Sequence, residues 1–335
     1  MQSVWTRRSV LAASATLPLL ARHARAAEFT FAQYHNQTED TPLHRNLVAL
    51  WDAVARDTNG RVVMRLYPEN NGLAGGDQDA LAMLLSGEIA FFTLMGGILG
   101  QISPIAEAQQ LPFAFRSAGD AHRTMDGPFG QYLAEELAPK DIHLFPVCSF
   151  DNGMRQVASI ARPLLTPEDY EGVRMRVPPG QVIADTFRAF GAEPVTTTAN
   201  QIHDAMLSGQ VDAQENPLAV IEGFRLYDIA RHVSMTNHIW SGFSLMAHRP
   251  TWLRLPDDVR AVIARNVTLH VQRQRAEQDA FNKGLRHTLT ARGLTFHEVD
   301  PQPFRNRLSG VYAVWKEKVG PRGWAMLEAD VGTLG

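Results

Sequence analysis

The sequence contains one cysteine, Cys148, in 335 residues, so no intramolecular disulfide can staple the fold. Its neighbours Leu144, Phe145, Val147 and Phe150 read as a buried strand, which makes the thiol a small hydrophobe rather than a reactive group. Surplus charge is missing too: 35 acidic against 32 basic side chains leave a formal net charge of -3 at pH 7. That balance gives no reason to expect nucleic acid or an anionic membrane surface as a partner. No stretch reaches the ~18 apolar residues of a membrane-spanning helix. The sequence shows no nucleophile elbow, no phosphate-cradling loop and no His-Glu zinc helix. Gly72 to Gly76 is Gly-rich but lacks the Lys and Ser/Thr of a P-loop. The 12 histidines, among them His35, His44, His122 and His238, are scattered without metal-ligand spacing. No cofactor, no metal site and no catalytic residue is expected.

Hydrophobic residues at 45% and charged ones at 20% are ordinary globular composition, and the length suits two α/β domains better than one core. Residues 1–26 read as an export signal. The paired Arg7-Arg8 runs into a short apolar stretch ending at Leu20, and Ala24-Arg25-Ala26 places small residues where a signal peptidase reads. The arginine pair resembles a twin-arginine export sequence. Cys148 lies too far from the mature N-terminus to carry a lipid anchor. The mature protein is expected free in the periplasm, with no direct membrane anchor.

From Phe29 the pattern alternates strand and helix. Phe29 to Tyr34 reads as a strand, Thr41-Pro42 caps a helix with Leu43, Leu47, Leu50 and Val54 at helical spacing, and Arg61 to Tyr67 is a strand again. Asp77 opens a helix ending at Gly87, followed by a strand at Ile89 to Leu94. The same grammar restarts near Leu144, with Val173, Met175 and Val177 alternating with Arg174 and Arg176 up to Pro178. Thr198 and Gln201 form a capping box for a helix carrying Ile202 and Met206. Asp257 to Arg292 is helix-rich and polar around Gln272 to Lys283, as a surface-running or bridging helix is. The expected fold class is α/β with two lobes, each a mixed, mostly parallel sheet flanked by helices, and a ligand cleft between them. The expected division is 27–152 as lobe I, 153–240 as lobe II, 241–281 returning to lobe I with the bridging helix, and 282–335 completing lobe II and adding C-terminal helices.

Specific motifs lie between Asp151 and Pro256. Asn152-Gly153-Met154-Arg155-Gln156 precedes Gly172-Val173-Arg174-Met175-Arg176-Val177-Pro178. Asp212-Ala213-Gln214-Glu215-Asn216-Pro217, Met235-Thr236-Asn237-His238 and Trp252-Leu253-Arg254-Leu255-Pro256 follow. This order and spacing resembles the substrate-binding proteins of tripartite ATP-independent periplasmic (TRAP) transporters, in the dicarboxylate- and sialic-acid-binding branch. The resemblance covers essentially the whole mature chain and implies a two-lobed periplasmic binding protein that closes on an organic acid. It also implies integral-membrane permease components, small and large, as partners. By the same resemblance Arg176 pairs with the ligand carboxylate, Arg155 reaches the cleft, and Asn216 bonds the ligand or the clamp arginine. Two positions depart from the sialic-acid branch: Ala199 stands where that branch has an aromatic floor, and Gly96 where it has an acidic residue.

The residues support this reading by their own chemistry. Arg176 sits at a strand end beside a proline, where α/β folds bind ligands. Its planar fork matches a carboxylate with two parallel hydrogen bonds and keeps its charge. Arg174 is read as a solvated strand residue and Glu215 as a partner of other residues rather than a ligand contact. Further candidates are Tyr34, His35 and Asn36 in the first loop, Met95 and Gly96 at a strand end, Asp151 before Arg155, and Phe150 or Trp240 as an apolar wall. Such polar groups suit a hydroxylated acid such as a sugar acid. Rival readings are a binding protein that presents its ligand to a sensor kinase, and an exported enzyme acting on an organic acid.

Overall fold

The computed structural model describes residues 27–334, so the export signal expected at 1–26 lies outside the described residues. In chain order the strands are β1 (Phe29–His35), β2 (Val62–Tyr67), β3 (Phe91–Met95), β4 (Ile142–Met154), β5 (Gln156–Ser159) and β6 (Arg174–Val177). They continue as β7 (Glu193–Thr196), β8 (Ala213–Asn216), β9 (His232–Met235), β10 (Trp240–His248) and β11 (Thr295–Glu298). They form a five-stranded sheet in the order β2-β1-β3-β10-β4 and a six-stranded sheet in the order β11-β9-β5-β8-β6-β7.

Local chemistry builds the parallel parts. Parallel neighbours β1, β2 and β3 need crossovers, and helices supply them. Helix Pro42–Asp57 begins where the Thr41 hydroxyl accepts the His44 N–H and Pro42 fills the first turn. Its Leu47, Leu50 and Val54 are fully buried. The Thr198–Gln201 capping box also forms, on a short turn leading into helix Ile202–Leu207. Each sheet is mixed because the chain visits each lobe twice. Strand β10 returns antiparallel between β3 and β4, and β5 enters antiparallel between β8 and β9.

The chain leaves the first sheet after Met154 and enters the second at Gln156, so Arg155 is the crossing residue. It comes back through Thr236 to Ile239, and the Arg155 N–H donates to the Ile239 carbonyl at 2.7 Å, tying the two crossings together. The 35-residue helix Asp257–Ala291 packs on β4 and on helix Leu218–Gly223, and so spans both lobes. Its Gln274 holds both the N–H and the carbonyl of Asp151, at 2.8 and 2.7 Å. A Cβ on Gly153 would stand 2.6 Å from Asn282 of this helix, at a backbone φ of +108° that already favours glycine. The last segment divides between lobes. Strand β11 pairs with β9, and Phe304 packs edge-on to Tyr170 and Phe190 in the second lobe. Helix Ser309–Val331 instead lies on segment Pro104–Gln110 and helices Ala118–Asp126 and Pro128–Leu137 of the first lobe, as well as on helix Gln181–Ala189 of the second. Residues 282–335 thus hold the last strand of the second lobe and a C-terminal helix that lies on both lobes.

Candidate ligand-binding cleft

A cavity with about 400 Å³ of atom-free space lies between the lobes. Its polar lining comes from the carboxyl ends of strands. Asn36 and Gln37 follow β1, Met95 ends β3, Arg176 is in β6, and Asn216 ends β8. Helices and loops close it with Ile202, Val220 and Phe224 on one side and Pro178 and Pro179 on another. Parallel strands splay apart at such ends and leave a crevice there.

Arg176 is placed by strand parity. Met175 faces the core at 0% exposure, so its neighbour Arg176 faces the cavity, itself 2% exposed. Its Nε donates to the Thr197 hydroxyl at 3.0 Å and its Nη2 to the Thr197 carbonyl at 2.7 Å. Among the described residues no carboxylate lies within 4 Å of it; the nearby charges are Glu215, Arg155 and Asp77. Burial pulls the guanidinium down to about 9, and it remains protonated at neutral pH. Arg176 is a desolvated cation without a counter-ion.

Arg155 is equally buried but already paired. Its Nε donates to Glu215, its Nη2 donates to Glu215 Oε1 at 2.7 Å and to Asn216 Oδ1 at 3.0 Å, and its Nη1 points to Ser241 at 3.3 Å. His238 stands 3.2 Å from the same carboxylate. Burial alone would raise Glu215, but Arg155 and His238 hold it below its ordinary value. Burial keeps His238 below its ordinary value despite Glu215. Arg155 thus lines the cavity with a neutralised charge. Arg174, in contrast, meets Asp212 at 2.5 Å at the sheet rim, half-exposed.

Asp77 faces Arg176 from the other lobe. It opens helix Asp77–Ser86, and its two oxygens accept from Asn36 Nδ2 at 2.8 Å and Asn70 Nδ2 at 2.7 Å. Burial raises it against those donors and the pull of Arg176. A carboxylate has about four lone-pair positions, so this one keeps acceptor capacity toward the cavity. Asn70 Oδ1 is buried without a donor among the described residues, and a small pocket open to solvent continues past Asp77 along Glu69, Asn70 and Asn200.

Of the expected site residues, Arg176, Arg155, Asn216, Asn36, Met95 and Ala199 come together around the cavity. The others do not. Tyr34 stacks on Tyr67 at 4.6 Å, and His35 is fully buried with its ring against His44 at 3.0 Å. Gly96 is pressed against Gln109, where a Cβ would meet Nε2 at 2.1 Å. Phe150 is core, cross-strand from Phe243. Asp151 accepts the Trp240 indole N–H at 2.8 Å and lines a groove on the opposite face, with His122. Their neighbours Asn152, Ser241 and Phe243 line the cavity instead. Strand β10 is buried on both faces throughout its length, so its sequence carries no alternation to say which face is which. Asp77 read as a helix opener, and only its place behind two glycines hinted at close approach.

The model for bacterial extracellular solute-binding proteins, family 7, matches residues 33–318. The chain belongs to this family. The TRAP resemblance carried by the Arg155, Arg176 and Asn216 motifs is borne out, and the family is extracytoplasmic. A solute-binding protein of Roseobacter denitrificans is 27% identical over 306 residues, covering 90% of this chain and 92% of the relative. The sialic acid-binding periplasmic protein of Vibrio cholerae is 27% identical over 278 residues, covering 81% and 83%. A TRAP periplasmic solute-binding protein of Roseobacter denitrificans, solved with bound β-D-glucuronate, superposes with a TM-score of 0.85 at 21% identity, covering 91% of this chain and 100% of that one. The two-lobed α/β architecture is that of the family's solved structures. Among the described residues no helix is long and apolar enough to cross a membrane.

Proposed function

We propose that this protein captures a small organic acid in the periplasm, with the acid's carboxylate on Arg176 and its hydroxyls on Asp77, Asn36 and neighbouring amides. It then presents the closed, loaded form to the small and large membrane components of a TRAP permease. The acid is bound and released without turnover.

One observation carries this reading: Arg176 is a buried cation with no carboxylate within 4 Å among the described residues, at the wall of an interlobe cavity. Leaving a charge so desolvated costs stability, which a ligand carboxylate offsets when it arrives. Asp77 on the opposite wall favours a guest whose far end donates hydrogen bonds. Sugar acids have this pattern, and the Roseobacter neighbour holding glucuronate supports them as the first class to try. Removal of the aromatic floor at Ala199 leaves room for a ring or an extended polyol chain. Closure follows from the ligand's differential affinity for the closed state.

The test is calorimetry of purified protein against D-glucuronate, D-gluconate, succinate, sialic acid and uncharged D-glucose. Binding of at least one hydroxylated acid, and none of glucose, is expected. Equal affinity for glucose would remove the carboxylate from the argument.

A further inference from the structure

Segment Pro104–Gln110 runs between β3 and β4 of the first lobe and is buried against helix Ser309–Val331. In it Glu107 is 5% exposed, although nothing assigned to the ligand cavity requires a carboxylate there. Its Oε2 accepts the Val182 N–H at 2.6 Å. Val182 is in the first turn of helix Gln181–Ala189 in the second lobe, whose N-cap is Gly180 with no side chain to satisfy the free N–H groups. A helix start needs such an acceptor and favours a negative charge. Here the other lobe supplies the acceptor.

The place of this contact gives it a consequence. Pro178 and Pro179 join Arg176 to this helix and wall the cavity. A bond from Glu107 to the helix start therefore holds the first lobe against the segment that follows Arg176. We propose that Glu107 is a positioning residue, a cross-lobe latch whose side-chain oxygen caps helix Gln181–Ala189 when the lobes close and is withdrawn when they part. The latch rests on the cavity being the acid site only in so far as acid binding reads out closure.

Charge enters as support. Burial pushes Glu107 up to about 7, against the Val182 and Gln181 N–H groups and Lys318 of the C-terminal helix, with Asp185 of the capped helix adding to the rise. Parting the lobes exposes the carboxyl and returns it toward its ordinary, lower value. Closure then takes up a proton between the ordinary carboxyl value of 4.5 and about 7, where the capping oxygen belongs to a mostly neutral carboxyl, and closed-state stability falls as pH rises through that window.

The experiment compares wild type with Glu107→Ala, Glu107→Gln and Arg176→Ala. Spin labels at Val48→Cys and Leu207→Cys, both exposed and on different lobes, report the interlobe distance without ligand, while buried Cys148 stays unlabelled. Glu107→Ala should shift the distances outward and raise the D-glucuronate dissociation rate about 3- to 30-fold, the size of losing a helix cap. Its ligand-free melting temperature should stay near wild type. Glu107→Gln keeps an acceptor oxygen, so it should hold the distance better, yet lose the proton uptake that calorimetry in buffers of different ionisation enthalpy measures. Unchanged distances in Glu107→Ala overturn the latch; if the alanine variant does not fold, Glu107→Leu, which keeps the buried volume and removes the acceptor, decides in its place. Arg176→Ala should lose the acid but keep the wild-type distances. If wild type binds no acid, the proposed function fails, while the ligand-free distances still decide the latch.

Discussion

Replacing Arg176 by alanine should move affinity and stability in different directions. The guanidinium is 2% exposed and spends two donor groups on Thr197, leaving its other N–H groups for the cavity. Each charge-assisted hydrogen bond contributes ~1.5–3 kcal/mol net, so a two-bond fork to a carboxylate contributes ~3–6 kcal/mol. Truncating one side of such a buried pair costs ~2–5 kcal/mol of affinity, about 30-fold to several thousand-fold. Lysine keeps the charge without the fork and should recover only part. In the ligand-free protein the same cation has only its two bonds to Thr197 to set against its desolvation, because no carboxylate stands within 4 Å among the described residues and burial already disfavours its charged form. Arg176→Ala should therefore melt at or above the wild-type temperature without ligand and lose the ligand-induced rise. Titration calorimetry with D-glucuronate and scanning calorimetry of the ligand-free protein measure both halves. Affinity within about threefold of wild type, or a ligand-free melting point lower by more than about 4 °C, would refute the assignment.

Three further outcomes follow from the same geometry. Glu215→Ala should destabilise the fold by ~3–5 kcal/mol in urea unfolding, because it strands the buried Arg155 guanidinium without its carboxylate. Asp77→Asn should weaken hydroxylated acids about 10-fold or more while affecting succinate far less in calorimetry, since an amide donor replaces a charged acceptor. His35 has a folded-state pKa lowered to about 3 by burial and, secondarily, by His44, so the unfolded chain binds the extra proton below its ordinary 6.5. Stability should fall as pH drops from about 6.5 toward about 3 with a slope approaching ~1.4 kcal/mol per unit. His35→Gln should flatten that part of the profile in pH-dependent unfolding.

The sequence was most legible where one periodicity or one chemistry dominates. Helix Pro42–Asp57 announces itself by Thr41-Pro42 and its leucine spacing, and the long bridging helix by its polarity around Gln274 and Gln278. Arg176 was legible because only one face of β6 can hold a guanidinium while Met175 fills the core. The site failed to read where strands are buried on both faces. Asp151 and Trp240 were expected at the cavity, and the adjacent Asn152 and Ser241 are there, a displacement of one residue that reverses every side chain on a strand. Of Tyr34, His35 and Asn36, all expected at the cavity, only Asn36 lines it. The apolar wall of Ile202, Val220 and Phe224 could not be read either, since residues at helical spacing look alike whether they face a core or a ligand.

Two buried arginines of one chain show why composition and burial do not locate a binding group. Arg155 and Arg176 are 1% and 2% exposed and line the same cavity. Arg155 is neutralised within the fold by Glu215, with His238 behind it, at the point where the chain crosses between lobes; its bonds hold the crossing together whether or not a guest is present. Arg176 has only neutral oxygens of Thr197, so the fold bears its desolvation until an anion enters. The energy that a carboxylate releases on Arg176 exists because the ligand-free protein lacks it. Asp77 on the facing lobe makes no contact with Arg176 within 4 Å, and its oxygens are held by Asn36 and Asn70 rather than released toward the cation. A charge pair kept apart across a closing gap attracts the lobes weakly when empty. It attracts them strongly when a guest carries a carboxylate at one end and hydroxyls at the other.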